Sequence, residues 1–475
     1  MKKASQSNSQ RSSSWALAGL SLTMLMPSLA TSTANIALPD LARTFAASFQ
    51  AAQWIVLSYL LTVTALIVAV GRLGDVLGRR RLLLIGTIIF AGASLLCGLS
   101  PSLELLIVAR VAQGAGAAIM MALTMAFVGA VVPPERTGSA MGLLGSMSAV
   151  GTTLGPAVGG LLIVWAGAKA IFLINVPIAG LALAIAIGTL PRDLPRTAAT
   201  ALRFDVGGMG LMVTALTAYA LTLTLSRGQF GLLNAAALIV AFAASIGFVA
   251  VEIKVTSPLV RIDMFRNREL VAGLAANVLV SAVMMATLIV GPFYLTKAIS
   301  LRPAAAGLIL AIGPLAAAIA GVPAGRIVDR FGSERAALAG LAALAVGATA
   351  LSVVPASFGI AGYAVPIVVM TTAYGLFQAA NNTKIMTRAN AAERGVVSGL
   401  LNLSRNLGLI TGASAMGAVF AWGTAVRDVV TASPKAITAG MHSTFGIAAI
   451  LIVVSLLISV RAGSDVLRRE AAAAG

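Results

Sequence analysis

The chain of 475 residues is 59% hydrophobic and 10% charged, with a mean hydropathy of +0.98, more apolar than a water-exposed surface of that size tolerates. Its formal net charge is +18, with one histidine and one cysteine, so an internal disulfide and histidine- or cysteine-rich metal centres are excluded. Apolar runs of about 18 to 25 residues, the length that crosses roughly 30 Å of hydrocarbon, follow one another with short polar breaks. Because they are continuous rather than alternating, they predict helices and not a barrel.

In chain order, a basic polar tail (residues 1–14) precedes a first span near 15–38. The basic start and the small residues Ala30 to Ala34 imitate a secretory leader, but the run is long enough to span, and the internal repeat described below needs it as a helix. Further spans are predicted near 53–70, 82–99, 104–131, 139–165 and 171–190, closing a first six-helix bundle over 15–190. Two extra helices near 206–225 and 231–251 lie in a central segment, 191–269. A second six-helix bundle over 270–461 holds spans near 270–294, 304–324, 336–354, 360–382, 396–421 and 442–461, and a tail of 462–475 follows. The expected fold class is therefore an all-α polytopic membrane protein of about fourteen helices, with two pseudo-symmetric bundles and a central pair.

Charge sets the expected orientation. Lys2, Lys3, Arg11, Arg72, Arg79 to Arg81, Arg136, Arg192, Arg196 and Arg203 fall in alternate loops, and the parity continues to Arg468 and Arg469. Roughly three quarters of the Lys and Arg lie on one face, which the positive-inside rule makes cytoplasmic, with both termini there. The positive charge then reads as topology and contact with anionic membrane lipid. No nucleic-acid partner is expected, because no basic-plus-aromatic module lies outside the spans.

Between the second and third spans stands GRLGDVLGRRRL, with Gly71, Arg72, Gly74, Asp75, Gly78, Arg79 and Arg80; a worn copy, GRIVDRFGSER, begins at Gly325 and holds Asp329. Such a loop suits a gate: glycines permit a tight turn, the Asp can accept from free N–H groups at the next helix's start, and arginines can reach a facing helix end. PPERTGSAMGLLGSMSAVGTTLGPAVGG, starting at Pro133, is repeated as AAERGVVSGLLNLSRNLGLITGASAMGA from Ala391. Gly142, Gly151 and Gly155 match Gly399, Gly408 and Gly412, the mark of a duplicated six-helix half, as in alternating-access transporters.

Inside the spans, Arg110 is costly, about 2.5 to 3.5 kcal/mol on insertion scales, and so should face protein, water or a partner; Gln113 is one turn on. Gly151, Gly155 and Gly159, with Gly160 beside them, make a close-packing face, and Pro156 removes a backbone donor and permits a bend. Arg405 is a second cation within a span. Asn35, Asn277, Tyr294, Gln378 and Asn381 outline a polar seam as substrate-cavity candidates, each also explicable as an interhelical hydrogen bond.

GRLGDVLGRRRLL resembles the loop signature of the major facilitator superfamily, and RVAQGAGAA (Arg110 to Ala118) resembles its fourth-span motif. GTTLGPAVGG (Gly151 to Gly160) resembles the fifth-span antiporter motif, and IFLINVPIAG (Ile171 to Gly180) the sixth-span motif of the fourteen-span drug:proton antiporter branch. The resemblance implies a secondary transporter in the bacterial inner membrane. It would export amphipathic small molecules from the cytoplasm in exchange for protons, as a monomer, with no cofactor and no catalytic residues. One departure stands out: where that branch carries an Asp in the first span, this chain has Ala30 in LATSTANIALP. Asp40 and Glu104, near span ends, are the remaining proton-carrier candidates, provided that they are buried. With two cations inside the spans and no central carboxylate, neutral or anionic substrates are favoured over lipophilic cations. A dedicated metabolite exporter on the same fold is the alternative, and a membrane sensor or enzyme fits least.

Overall fold

The computed structural model describes residues 2–47, 49–191, 193, 205–224, 231–255, 258–390, 393–426 and 432–474. The described residues are overwhelmingly helical and contain no strand. The helices are α1 (Lys2–Thr44), α2 (Phe49–Leu77), α3 (Arg79–Leu99), α4 (Leu103–Val131), α5 (Thr137–Ala166), α6 (Ala170–Leu173) and α7 (Asn175–Thr189). They continue with α8 (Val206–Thr224), α9 (Leu232–Lys254), α10 (Arg268–Phe293), α11 (Pro303–Phe331), α12 (Ser333–Val353), α13 (Gly359–Arg388), α14 (Arg394–Thr424) and α15 (Pro434–Ala474).

Among the described residues thirteen helices are long and apolar enough to cross a membrane, and the bent pair Pro134–Gly155 and Ala157–Ala166, which meet at 42°, brings the number to fourteen when counted as one span. The expected number is reached, and the bend falls at Pro156, as the missing donor there requires. Of the topology-setting cations, Arg192, Arg196 and Arg203 lie outside the described residues.

The chain packs as two units that do not follow the sequence halves. The first comprises Met1–Tyr219, Ala237–Ile262 and Met386–Leu403; the second comprises Ala220–Ala236, Asp263–Ile385 and Ser404–Gly475. Thus α14 is divided, with its first turns belonging to the first unit. In that unit α1 lies along α5, and α4 lies against both α2 and α3. One cluster of its core gathers Ala34, Leu41, Ile55, Leu106 and Phe172. In the second unit α15 covers α10 and α12, over a core that includes Val283, Tyr294, Leu344, Phe377 and Phe445.

The duplication is visible as repeated packing. A Cβ on Gly151 would meet the backbone of α1 at Leu25 O (2.6 Å) and Leu29 N (3.0 Å), and one on Gly155 would strike Ser32. In the second unit Gly408 and Gly412 meet α10 in the same way, at Val278 and Ala282. Close backbone approach, bought by small residues four apart, is therefore the common device of both halves.

Candidate functional site

Two constellations in the first unit carry the charged residues that the sequence singles out. The first is centred on Arg110, fully buried on α4. Gly114 brings α4 to within 2.8 Å of Tyr59 O on α2, and Gly116 to within 2.6 Å of Phe90 N on α3, both measured from the Cβ that each glycine lacks. That double approach lets α4 side chains reach both neighbours. Arg110 Nε donates to Ile55 O (2.8 Å), and Nη1 donates to Gln113 Oε1 (2.5 Å). Gln113 Nε2 then donates to Ser94 Oγ (2.7 Å), and Ser94 Oγ donates to Phe90 O (2.6 Å).

The guanidinium stacks on aromatic rings, 4.2 Å from the centroid of Tyr59 and 5.7 Å from that of Phe172. Tyr59 is itself held by its hydroxyl, which donates to Pro27 O (3.1 Å). Among the described residues no carboxylate pairs with Arg110, and its Nη2 is buried without a hydrogen-bond partner. Taking an isolated charge out of water costs several kcal/mol, and desolvated cation–π contacts return about 2 kcal/mol or more. The arrangement is thus a buried cation held by carbonyl, amide and ring faces, with one N–H left over. Gln113 was legible in the sequence as a partner one turn away; Ser94 and Phe172 were not, because nothing local ties α3 or α6 to α4.

The second constellation is the gate segment, and here two expectations are corrected. Gly71 to Leu77 is not a loop but the last two turns of α2, just as Gly325 to Phe331 ends α11. Only Gly78 (φ +103°) and Gly332 (φ +86°) break the chain before the next helix starts, in a backbone region that favours glycine. The continuous helix keeps Asp75 buried, with the half-buried Arg79 beside it across the break.

Nor does Asp75 cap α3, the next helix along the chain. The start of α3 is taken by Asp193, whose Oδ1 and Oδ2 accept from Arg80 N and Arg81 N at 3.0 Å each; Arg80 Nη2 donates to Ile187 O (2.7 Å). Asp75 turns instead to α14, where its Oδ1 and Oδ2 accept from Gly395 N and Val396 N, both at 3.3 Å. Those N–H groups belong to the first turn of a helix and have no intrahelical acceptor, so a carboxylate from α2 satisfies both and meets the positive end of the dipole. Arg79 Nη2 and Nε donate to Asp75 Oδ1 (2.7 and 3.0 Å). Close approach is enforced by Gly71 and Gly395, whose backbones touch, and by Gly399 on Val68 Cα (2.8 Å). Ser398 Oγ donates to Ala122 O, and Asn402 Nδ2 to Ser398 O (3.0 Å). All of these residues lie in the first unit.

The remaining candidates are scattered. Asp40 is 39% exposed and pairs with the exposed Arg43 at 3.6 Å; Glu104 is exposed in the first turn of α4. Neither is in the buried setting that a proton carrier was expected to need. Asn35 is exposed, Gly159 is buried, and Gly160, Arg72, Asp329 and Arg405 are half-buried. In the second unit Asn277 Nδ2 donates to Ser404 Oγ (2.8 Å), Asn381 Nδ2 to Gly273 O (3.2 Å) and Gln378 Nε2 to Tyr374 Oη (2.8 Å). Tyr294 is fully buried, at a π-helical turn, with its ring 5.8 Å from that of Tyr363. Asn277 and Asn381 therefore tie α10 to α14 and α13.

Comparison with known proteins agrees with this architecture. The sequence profile of the Major Facilitator Superfamily matches residues 20–413 and again 274–471. The chain is 30% identical to the multidrug resistance protein Stp of Mycobacterium tuberculosis over 82% of its own length and 72% of that protein's. It is 28% identical to the riboflavin transporter RibZ of Clostridioides difficile, over 92% and 94%. The solved structure of the proton:xylose symporter XylE superposes with a TM-score of 0.66 at 14% identity, covering 95% of this chain and 96% of that one. A profile spanning nearly the whole sequence, a likeness to drug-efflux relatives and a shared fold lead to one conclusion: the chain belongs to the major facilitator superfamily, in its drug-efflux branch, and is a multi-pass membrane transporter, not an enzyme.

Proposed function

We propose that the protein exports amphipathic, drug-like small molecules from the cytoplasm of a bacterial cell, by alternating access and in exchange for protons, with its termini and gate on the cytoplasmic side of the inner membrane. The observation that carries this reading is the Asp75 cap on the first turn of α14. It is a polar contact with no covalent tie, made by two elements 320 residues apart in the chain, and it can form in one state of a transport cycle and break in another. The direction of transport is supported by the likeness to the multidrug efflux pump LfrA of Mycolicibacterium smegmatis, 30% identical over 85% of this chain and 80% of that protein.

The buried Arg110, with no carboxylate paired to it among the described residues, sets the expected substrate charge. Its field repels lipophilic cations and admits neutral or anionic amphiphiles. A dedicated metabolite exporter is the second reading, favoured by the likeness to a riboflavin transporter over 92% of the chain. The test is proton release from acidified inside-out vesicles, read by dequenching of a pH-sensitive dye, on addition of cationic, neutral or anionic amphiphiles. Release with neutral or anionic compounds supports the proposal. Release with cations alone overturns the assigned substrate charge, and none with any drug-like compound moves the assignment to the dedicated exporter.

A further inference from the structure

Among the described residues three acids are buried: Asp75, Glu252 and Glu269, at 6%, 3% and 9% exposure. Asp75 is paired with Arg79, and Glu269 with Lys384 at 3.4 Å. Glu252 stands apart: among the described residues it makes no ion pair, and another carboxylate, that of Asp205, lies close by around Gly208. It lies in the last turn of α9, at the base of the central helix pair, where Asp205 immediately precedes α8.

Each of the two carboxylates uses one oxygen on the backbone. Asp205 Oδ1 accepts from Gly208 N (2.8 Å), capping α8, and Glu252 Oε2 accepts from Val260 N (3.3 Å) in the segment after α9. The other two oxygens, Asp205 Oδ2 and Glu252 Oε1, are both buried without a hydrogen-bond partner. They converge on Gly208: a Cβ there would lie 2.7 Å from Glu252 Oε1 and would strike Asp205 Oδ2 as well. Two leftover acceptors facing each other away from water repel, whereas a single proton between them turns one into a donor and satisfies both. Among the described residues the charge acting most strongly on Glu252 is that of Asp205, and Arg72, from the gate segment of α2, acts more weakly and in the opposite sense. All five residues belong to the first unit.

We propose that Asp205 and Glu252 form a proton-binding carboxyl pair, seated at the base of the central helices. One proton is bound and one released, with no other reactant. When the proton leaves, the pair gains a negative charge, which the Arg72 guanidinium, three residues before Asp75 on α2, partly offsets; when it returns, that interaction is lost. The binding site stands on its geometry alone, and only its use in the transport cycle rests on the antiport reading.

The experiment is a pH titration of the purified full-length protein in lipid vesicles by infrared difference spectroscopy, following the C=O band of protonated carboxylic acid. Exposed carboxyls are ionised above about pH 5, so a band persisting above that range reports a sheltered proton. The wild type should show such a band and Glu252→Gln should lose it. Asp205→Asn should shift its disappearance to lower pH, because the repelling charge is gone, and Arg72→Gln should shift it to higher pH. If Glu252→Gln fails to fold, as read by size-exclusion chromatography, the Asp205→Asn and Arg72→Gln shifts carry the test. Absence of the band, or a band indifferent to these variants, overturns the proposal. A normal band in a protein that releases no protons on meeting substrate would instead remove the antiport reading and leave the site.

Discussion

Replacing Asp75 by Asn removes one negative charge from the contact with α14 and leaves the shape almost unchanged. In the wild type the two carboxylate oxygens each accept a backbone N–H from Gly395 and Val396 at 3.3 Å, the long end of the useful range, so each is taken at the low end for a charged acceptor, about 1.5 kcal/mol. An amide keeps one neutral acceptor worth about 1 kcal/mol and turns its NH2 toward the other N–H, losing that bond. The helix-dipole attraction adds about 0.5 kcal/mol to the loss. The pair with Arg79 is local to the α2–α3 junction and persists whether or not α14 is engaged, so it cancels. The net is ~2 to 3 kcal/mol, which lowers the population of the engaged state roughly 30- to 150-fold. The assay is maleimide labelling of Ser398→Cys in a Cys97→Ala background, since Ser398 is fully buried beneath this contact. With Asp75→Asn added, labelling should accelerate by about that factor while transport slows and membrane insertion stays normal. A labelling rate within about threefold of the control, equivalent to less than 0.7 kcal/mol, together with unchanged transport, would refute the reasoning.

Three further outcomes follow from the geometry. Arg110→Lys keeps the charge but loses the planar fork that reaches Ile55 O and Gln113 while stacking on Tyr59, so substrate flux should drop about tenfold or more, with Arg110→Ala lower still; full flux in the Ala variant would reduce Arg110 to a packing role. Gly116→Ala forces a methyl against Phe90 N and Gly86 O at 2.6 and 2.7 Å and should cost about 1 to 3 kcal/mol, seen as a lower melting midpoint in detergent. Asp193→Asn weakens both acceptors at the start of α3 and should cost about 1 kcal/mol by the same measurement, with little change in flux.

The spans were legible because an apolar run of bilayer length has few alternatives, and the duplication because Gly151 and Gly155 recur as Gly408 and Gly412. Helix ends were less legible. Polar residues at Gly71 to Leu77 suggested a loop, yet a helix tolerates Arg72 and Asp75 where its last turns meet protein partners, and only Gly78 demanded a break. Asp75 was recognisable as a helix cap, but its target was not: sequence proximity pointed to α3, while α14 arrives from 320 residues away. Glu252 went unnoticed for a related reason. It closes an apolar span, where hydropathy assigns acids to the water-exposed end, and its burial depends on the segment carrying Leu259 and Val260 folding back. Conversely, Asp40 and Glu104 drew attention by being acids near spans, and the fold leaves them at the surface.

The most direct test of exchange is flux through the purified protein in proteoliposomes with an imposed pH gradient, using a neutral or anionic fluorescent amphiphile. Antiport predicts uphill movement of the compound against the inward proton flow, abolished by a protonophore and reversed when the gradient is reversed. Flux of the same size and direction with no gradient, or unaffected by the protonophore, would contradict the account.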